Sequence, residues 1–169
     1  HTEDAYKQVG AGAGERISDS LGKKLRGRFP WLLINLLMAT AAALVVLQFE
    51  GLIDEIAILA VIMPVIANQA GNAGHQSLAV TLRALVLGEI RASRVGPLVV
   101  RETLLGVVSG LLIGALVGGG LALLGLTGLH PEADWRLGLI AAAAMSGALA
   151  MGCLSGTGIP LILEKAGFD

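Results

Sequence analysis

Four long stretches of this 169-residue chain contain no Lys, Arg, Asp or Glu: residues 29–49, 56–82, 103–129 and 137–163. The first is 21 residues long and the other three are 27 each, where about 20 apolar residues suffice to cross a hydrocarbon core of about 30 Å. A core helix of a soluble domain rarely needs more than about 14. Composition agrees, with 54% hydrophobic and only 15% charged residues and a mean hydropathy of +0.76, against roughly a quarter charged in soluble domains. No stretch shows the alternation of a strand. The expected fold is all-α, a polytopic helical membrane protein with four transmembrane helices in this chain.

The charges fall between the apolar stretches, and their order predicts topology. Residues 1–28 form a polar linker with a flexible Gly-Ala-Gly-Ala-Gly run at 10–14 and an amphipathic connecting helix expected over 17–28, capped by Ser18 or Asp19 and carrying Lys23, Lys24, Arg26 and Arg28. Pro30 suits a helix start, where its missing N–H costs nothing, and Trp31 an interfacial anchor. The membrane domain is then 29–169. The lead-in carries six basic residues, counting Lys7 and Arg16. The next loop holds Glu50, Asp54 and Glu55. The third polar segment has Arg83, Arg91, Arg94 and Arg101, diluted by Glu89 and Glu102, and the fourth Glu132 and Asp134 with Arg136. Basic, acidic, basic, acidic places the N-terminus in the cytoplasm of a multi-pass cell-membrane protein. A basic segment beside a span suits anionic headgroups, so the lipid bilayer is the expected partner and no nucleic acid is. The polar start without an initiator Met reads as part of a longer chain.

Small residues recur every fourth position in the last two spans, at Gly106, Gly110, Gly114 and Gly118, and at Ala144, Ala148, Gly152 and Gly156. Such ridges let helices approach closely in lipid, and serve packing within one protomer or a dimer seam. Cys153, the lone cysteine, excludes an internal disulfide and reads as a small packing residue.

The second apolar stretch differs from the rest. Pro64 removes a rung of the backbone ladder, Gly71 and Gly74 loosen the following turns, and the carboxamides Asn68, Gln69, Asn72 and Gln76 stand among them with His75 and Ser77. Polar groups at membrane depth are costly unless paired or wet. Carboxamide and carbonyl oxygens are hard, neutral ligands suited to Mg²⁺ or Ca²⁺ or to their water shells, and interrupted helices free carbonyls for that task. Asn68, Asn72 and Gln76 share one face at a spacing of four. Singly, each amide serves equally well as a bridge between helices; as a set, with Pro64 and the glycines, they point to a pore lined by a broken second helix. His75 alone makes no transition-metal site.

At these residues the chain resembles a known family. Gly71-Asn72-Ala73-Gly74-His75-Gln76-Ser77, preceded by Pro64 and followed by Thr81-Leu82-Arg83-Ala84-Leu85, looks like the signature of the MgtE family of Mg²⁺ channels. Pro30-Trp31-Leu32-Leu33-Ile34-Asn35-Leu36-Leu37 is similar to that family's first span, and Thr2-Glu3-Asp4 to the junction with its cytosolic domains. The resemblance implies a homodimer with a pore on its axis, lined by the second and fifth of five helices. Carried over, Asn72 is the best pore-lining match, and Gly71 and Gly74 shape the backbone there; the reading of the residues themselves adds Asn68, Gln76 and the Gly71 carbonyl to the pore lining and Pro64 to the shape of the helix. It implies too that Lys23, Lys24 and Arg26 belong to a plug that closes when cytosolic Mg²⁺ binds regulatory domains, making Mg²⁺ both permeant and regulatory. On that pattern this chain holds four of five spans, and the carboxylate of the central ion site lies on the fifth. That matches the absence of Asp and Glu from all four apolar stretches, since a divalent-cation site without a carboxylate is electrostatically weak.

The expected function is therefore divalent-cation transport, with Mg²⁺ chosen by the resemblance, and not an enzymatic reaction. A purely structural membrane domain is the alternative. A membrane hydrolase is disfavoured because Ser77 and His75, two residues apart on a helix, do not face each other.

Overall fold

The computed structural model describes residues 16–90, 94–128, 130 and 132–166. The glycine run, Lys7, the Thr2-Glu3-Asp4 junction, Arg91 and residues 167–169 lie outside them. Among the described residues the chain is all-α, with α1 Leu21–Leu47, α2 Glu50–Glu55, α3 Ile58–Val86, α4 Val95–Leu126 and α5 Trp135–Lys165. Helices α1, α4 and α5 are long and apolar enough to cross a membrane. Helix α3, with 29 residues, matches them in length, but its carboxamides lower its hydropathy.

Two compact units divide the chain, His1–Asp54 and Glu55–Asp169. In the first, a turn precedes α1. The Asp19 carboxylate accepts the Arg16 N–H at 2.8 Å and pairs with Lys23 at 2.9 Å, and the Lys24 ammonium donates to the Ile17 carbonyl at 2.8 Å. Both the Arg16 N–H and, after it, Lys23 hold the Asp19 carboxyl below its ordinary pKa. The basic segment is not a separate helix. Ser20 is the N-cap, without a side-chain bond, and α1 runs unbroken from Leu21 through Pro30. Pro30 thus sits inside the helix, not at its start. It removes one backbone donor, and the ladder continues on either side.

In the second unit α5 is central. Its residues Leu137, Ala141, Met145, Leu149, Cys153, Thr157 and Leu161 recur every four positions and are all buried. Against one side of α5 lies the α4 glycine ridge, every member buried. Gly106 meets Leu149 and Ala150, Gly110 meets Met145 and Ser146, Gly114 meets Ala142, and Gly118 meets Gly138. Rising numbers on α4 meet falling numbers on α5, so the two run antiparallel. Against the other side lies α3, where Gly152 abuts Ala70 and Gly74, and Gly156 abuts Gly74. Those numbers rise together, so α3 and α5 are parallel. Both ridges therefore pack within one protomer at these glycines, where a Cβ would collide with backbone. Lipid cannot drive apolar faces together, so this close contact is what association in a membrane depends on.

An apolar cluster of Ile58, Ile62, Leu121, Ala133, Leu137 and Ala141 closes one end of the unit. The turns fit their residues. Helix α3 ends into Gly88 at φ 64°, a conformation that glycine adopts freely, with the Gly88 and Glu89 N–H groups bonded back to Leu85 and Ala84. The Asp134 carboxylate caps α5 by accepting the Leu137 N–H at 2.8 Å.

Helix α3 is not broken. It stays α-helical from Ile58 to Val86 through Pro64, Gly71 and Gly74. The expected interruption fails because Gly74 serves another end. A Cβ there would lie 3.0 Å from the Gly152 carbonyl oxygen, so its small size admits α5 and the packed neighbour keeps the helix regular.

Candidate functional site

Asn72 stands at the midpoint of α3. Together with Gln69, Gln76 and Ser77 it lines a cleft of about 310 Å³ whose other walls are Glu102, Leu105, Ser109 and Ile113 of α4 and Leu149 and Cys153 of α5. Ser77, only 2% exposed, donates its hydroxyl to Glu102 Oε2 at 2.8 Å. One turn on, the Thr81 hydroxyl donates to the Ser77 carbonyl at 2.8 Å. From α5, the Cys153 thiol reaches the Ala73 carbonyl at 3.8 Å, a weak bond that adds to the α3–α5 contact.

The carboxamides have no such partners. Among the described residues Asn68, Gln69, Asn72 and Gln76 make no side-chain hydrogen bond, and Asn68, Asn72 and Gln76 are exposed on the chain. A carboxamide at membrane depth needs a partner. Among the described residues these amides do not act as bridges, which leaves water, an ion or a further segment to satisfy them.

The candidate residues separate into groups. Asn72 and Gln76 face the cleft, whereas Asn68 is exposed outside its lining. Gly71, Gly74 and His75 line a second, shallower groove of about 460 Å³ with Met151, Ser155, Ile159 and Pro160 of α5. Pro64 lies in the first two turns of α3. In the other unit, Lys23 and Lys24 are engaged with Asp19 and Ile17, and Arg26 is exposed. Two of the acidic loop residues have local tasks. Asp134 caps α5, and Glu132 pairs with His130 at 3.0 Å, its carboxyl held below the ordinary range by its own backbone N–H and then by His130.

Glu102 corrects the expectation that no carboxylate stands among the spans. It is not a loop charge but the eighth residue of α4, half-buried and facing the amides. The signal was in the sequence. Glu102 lies four residues before Gly106 and continues the face on which Gly106, Gly110, Gly114 and Gly118 are buried.

Among the described residues no three His, Cys, Asp or Glu side chains gather into a metal cage. The cleft instead offers the Glu102 carboxylate and the carboxamides of Gln69, Asn72 and Gln76, a set suited to a hydrated hard cation.

A family profile described as a divalent cation transporter, MgtE, matches residues 63–169, well over half of the chain. The chain is 35% identical over 159 residues to a magnesium transporter MgtE of Enterococcus faecalis (strain ATCC 700802 / V583), covering 92% of this chain and 33% of that protein. It is 30% identical over 142 residues to a magnesium transporter MgtE of Bacillus subtilis (strain 168), covering 84% of this chain and 30% of that protein. It thus spans about a third of the length of each relative. With a carboxamide row, a facing carboxylate and membrane-length helices along the matched region, the chain belongs to the MgtE family of divalent cation transporters.

Proposed function

We propose that this chain is the membrane part of a Mg²⁺ transporter in which the unbroken, amide-bearing face of α3 lines the ion path. The observation that carries this is the row of carboxamides at mid-helix without partners among the described residues, beside the Glu102 carboxylate. Mg²⁺ sheds its water reluctantly, so Asn72, Gln76 and Asn68 recognise the ion through its water shell, and Gly71 leaves room for that shell. Transport is passive. Each charge crossing gains about 2.3 kcal/mol per 100 mV, and a divalent ion twice that.

The path is completed by a second copy. Asn68, exposed and outside the cleft, would then face its counterpart across a homodimer axis. The N-terminus lies in the cytoplasm of a cell-membrane protein, a placement supported by Lys23, Lys24 and Arg26 at one end of α1 and Glu50 and Asp54 beyond the other. The basic start of α1, with Lys23, Lys24 and Arg26, is the gating segment of the transporter.

The test is Mg²⁺ uptake into liposomes by the full-length protein. Asn72→Ala is expected to lower flux about tenfold or more, and Asn72→Ala with Gln76→Ala further. Undiminished flux in the double variant removes the α3 face from the path.

A further inference from the structure

We infer that Glu102 anchors a divalent-cation site lying wholly within one protomer, in the cleft between α3, α4 and α5. It deepens, and rests on, the proposal that the α3 amide face carries divalent cations. The site differs from an axial pore because every group it uses comes from one chain.

Position sets the first constraint. Glu102 lies about 10 Å into α4, two turns from its start, on the face that packs against other helices. An ionisable side chain there is expensive and demands a partner. Among the described residues no Lys, Arg or His pairs with it, and the adjacent Arg101 is exposed. Among the described residues its one bond is from the Ser77 hydroxyl to Oε2. A carboxylate accepts at about four lone-pair positions, so most of its capacity stays open toward the cleft.

Surroundings set the second. Gln69, Asn72 and Gln76 bring carboxamides to the same cleft. Its volume of about 310 Å³ accommodates an ion with six waters, each taking about 30 Å³ in the liquid. One carboxylate with neutral oxygens and retained water is the donor set of a Mg²⁺-like cation. A cation there neutralises a half-buried charge that no Lys, Arg or His among the described residues pairs.

The competing account makes Ser77–Glu102 only a clamp between α3 and α4. Glu102→Gln separates the two, because its amide oxygen still accepts from Ser77 while the charge is gone. The measurement is Mn²⁺ binding to the full-length protein in nanodiscs, read by loss of the free-ion electron paramagnetic resonance signal, with Mg²⁺ as competitor. Wild type should bind one Mg²⁺-displaceable Mn²⁺ per chain more than Glu102→Gln does, or bind that ion at least about tenfold more tightly, since in the variant a doubly charged ion loses its one close countercharge. Glu102→Asp should retain it within about threefold. Ser77→Ala, which breaks the clamp and keeps the charge, should bind at least as tightly as wild type, so the assignment can be judged even if the Gln variant does not fold.

Equal stoichiometry and affinity in Glu102→Gln, or weakened binding in Ser77→Ala, overturns the site. Binding and flux are read separately. Unchanged Mn²⁺ binding in Glu102→Gln with lowered flux in Asn72→Ala removes the Glu102 site and keeps the path. Lost binding in Glu102→Gln with undiminished flux in the Asn72→Ala, Gln76→Ala double variant keeps the site and removes the path.

Discussion

Gly114→Ala tests the seam that holds α4 on α5. A Cβ at Gly114 would lie 2.6 Å from the Ala142 Cα, 3.0 Å from its carbonyl oxygen and 3.1 Å from its Cβ, where ordinary contact begins at 3.4 Å. The obstruction is mostly backbone, which cannot rotate away as a side-chain tip would. The helices must therefore part locally by about 0.8 Å, which also loosens the contacts of Gly110 and Gly118 on either side. Overpacking of this kind costs about 1–3 kcal/mol, partly offset by the roughly 1 kcal/mol that alanine gains over glycine in a helix. A net loss of about 0–2 kcal/mol relative to wild type is expected, and of about 1–3 kcal/mol relative to a variant that gains the alanine without the clash. Gly119→Ala is the control. Nothing lies within 4 Å of its Cβ position, so only the helix gain applies and the variant should be neutral or up to about 1 kcal/mol more stable. Cys153, at 3% exposed and the chain's one cysteine, reports opening of the α5 seam. In mild detergent its thiol-labelling rate should be roughly 5- to 150-fold higher in Gly114→Ala than in Gly119→Ala, and in Gly119→Ala it should stay at or below the wild-type rate. Equal rates in the two variants would refute the seam as described.

Two further outcomes follow from single contacts. The Thr157 hydroxyl is buried without a hydrogen-bond partner among the described residues, so the isosteric Thr157→Val should stabilise by about 1 kcal/mol in a denaturation titration, and a loss of similar size would show that the hydroxyl has a partner. Asp19 should titrate below the ordinary carboxylate range in a carbon-13 NMR titration, because the Arg16 N–H and then Lys23 favour its charged form. With the folded pKa lowered, the stabilisation of the start of α1 is complete above the unfolded pKa and is lost as pH falls through the folded one. Fraying of Leu21–Lys24 at or above the ordinary carboxylate pKa, about 4, would contradict this.

The amides and the acid illustrate two kinds of legibility. Asn68, Gln69, Asn72 and Gln76 were visible because any carboxamide inside an uncharged stretch is conspicuous, whatever it faces. Glu102 was not, because it sits one residue before an uncharged stretch and beside Arg101, where charge counting along the chain assigns it to a loop. Pro64 and Gly74 were misleading for a related reason. Local propensity predicts a break, yet the backbone of α5 against Gly74 favours a straight α3. The same limit applied to Pro30, which propensity places at a helix start and which lies within α1.

What the sequence determined by itself was the solvent and the scale. Four uncharged stretches long enough to span a bilayer dictate helices in lipid, because backbone groups there must be bonded within their own segment. The every-fourth-residue ridges announced close helix contacts on the same grounds. Only the tertiary structure decided which contacts these were. It set Gly106 to Gly118 on α5, Gly152 and Gly156 on α3, and, one turn beyond the first ridge, Glu102 on Ser77 opposite the amides. A ridge fixes a spacing along one helix but neither the partner nor the register. Those are chosen by backbone-to-backbone fit between segments far apart in the chain, and that fit brings a carboxylate and a carboxamide row, 30 residues apart at Asn72 and Glu102, into one cleft.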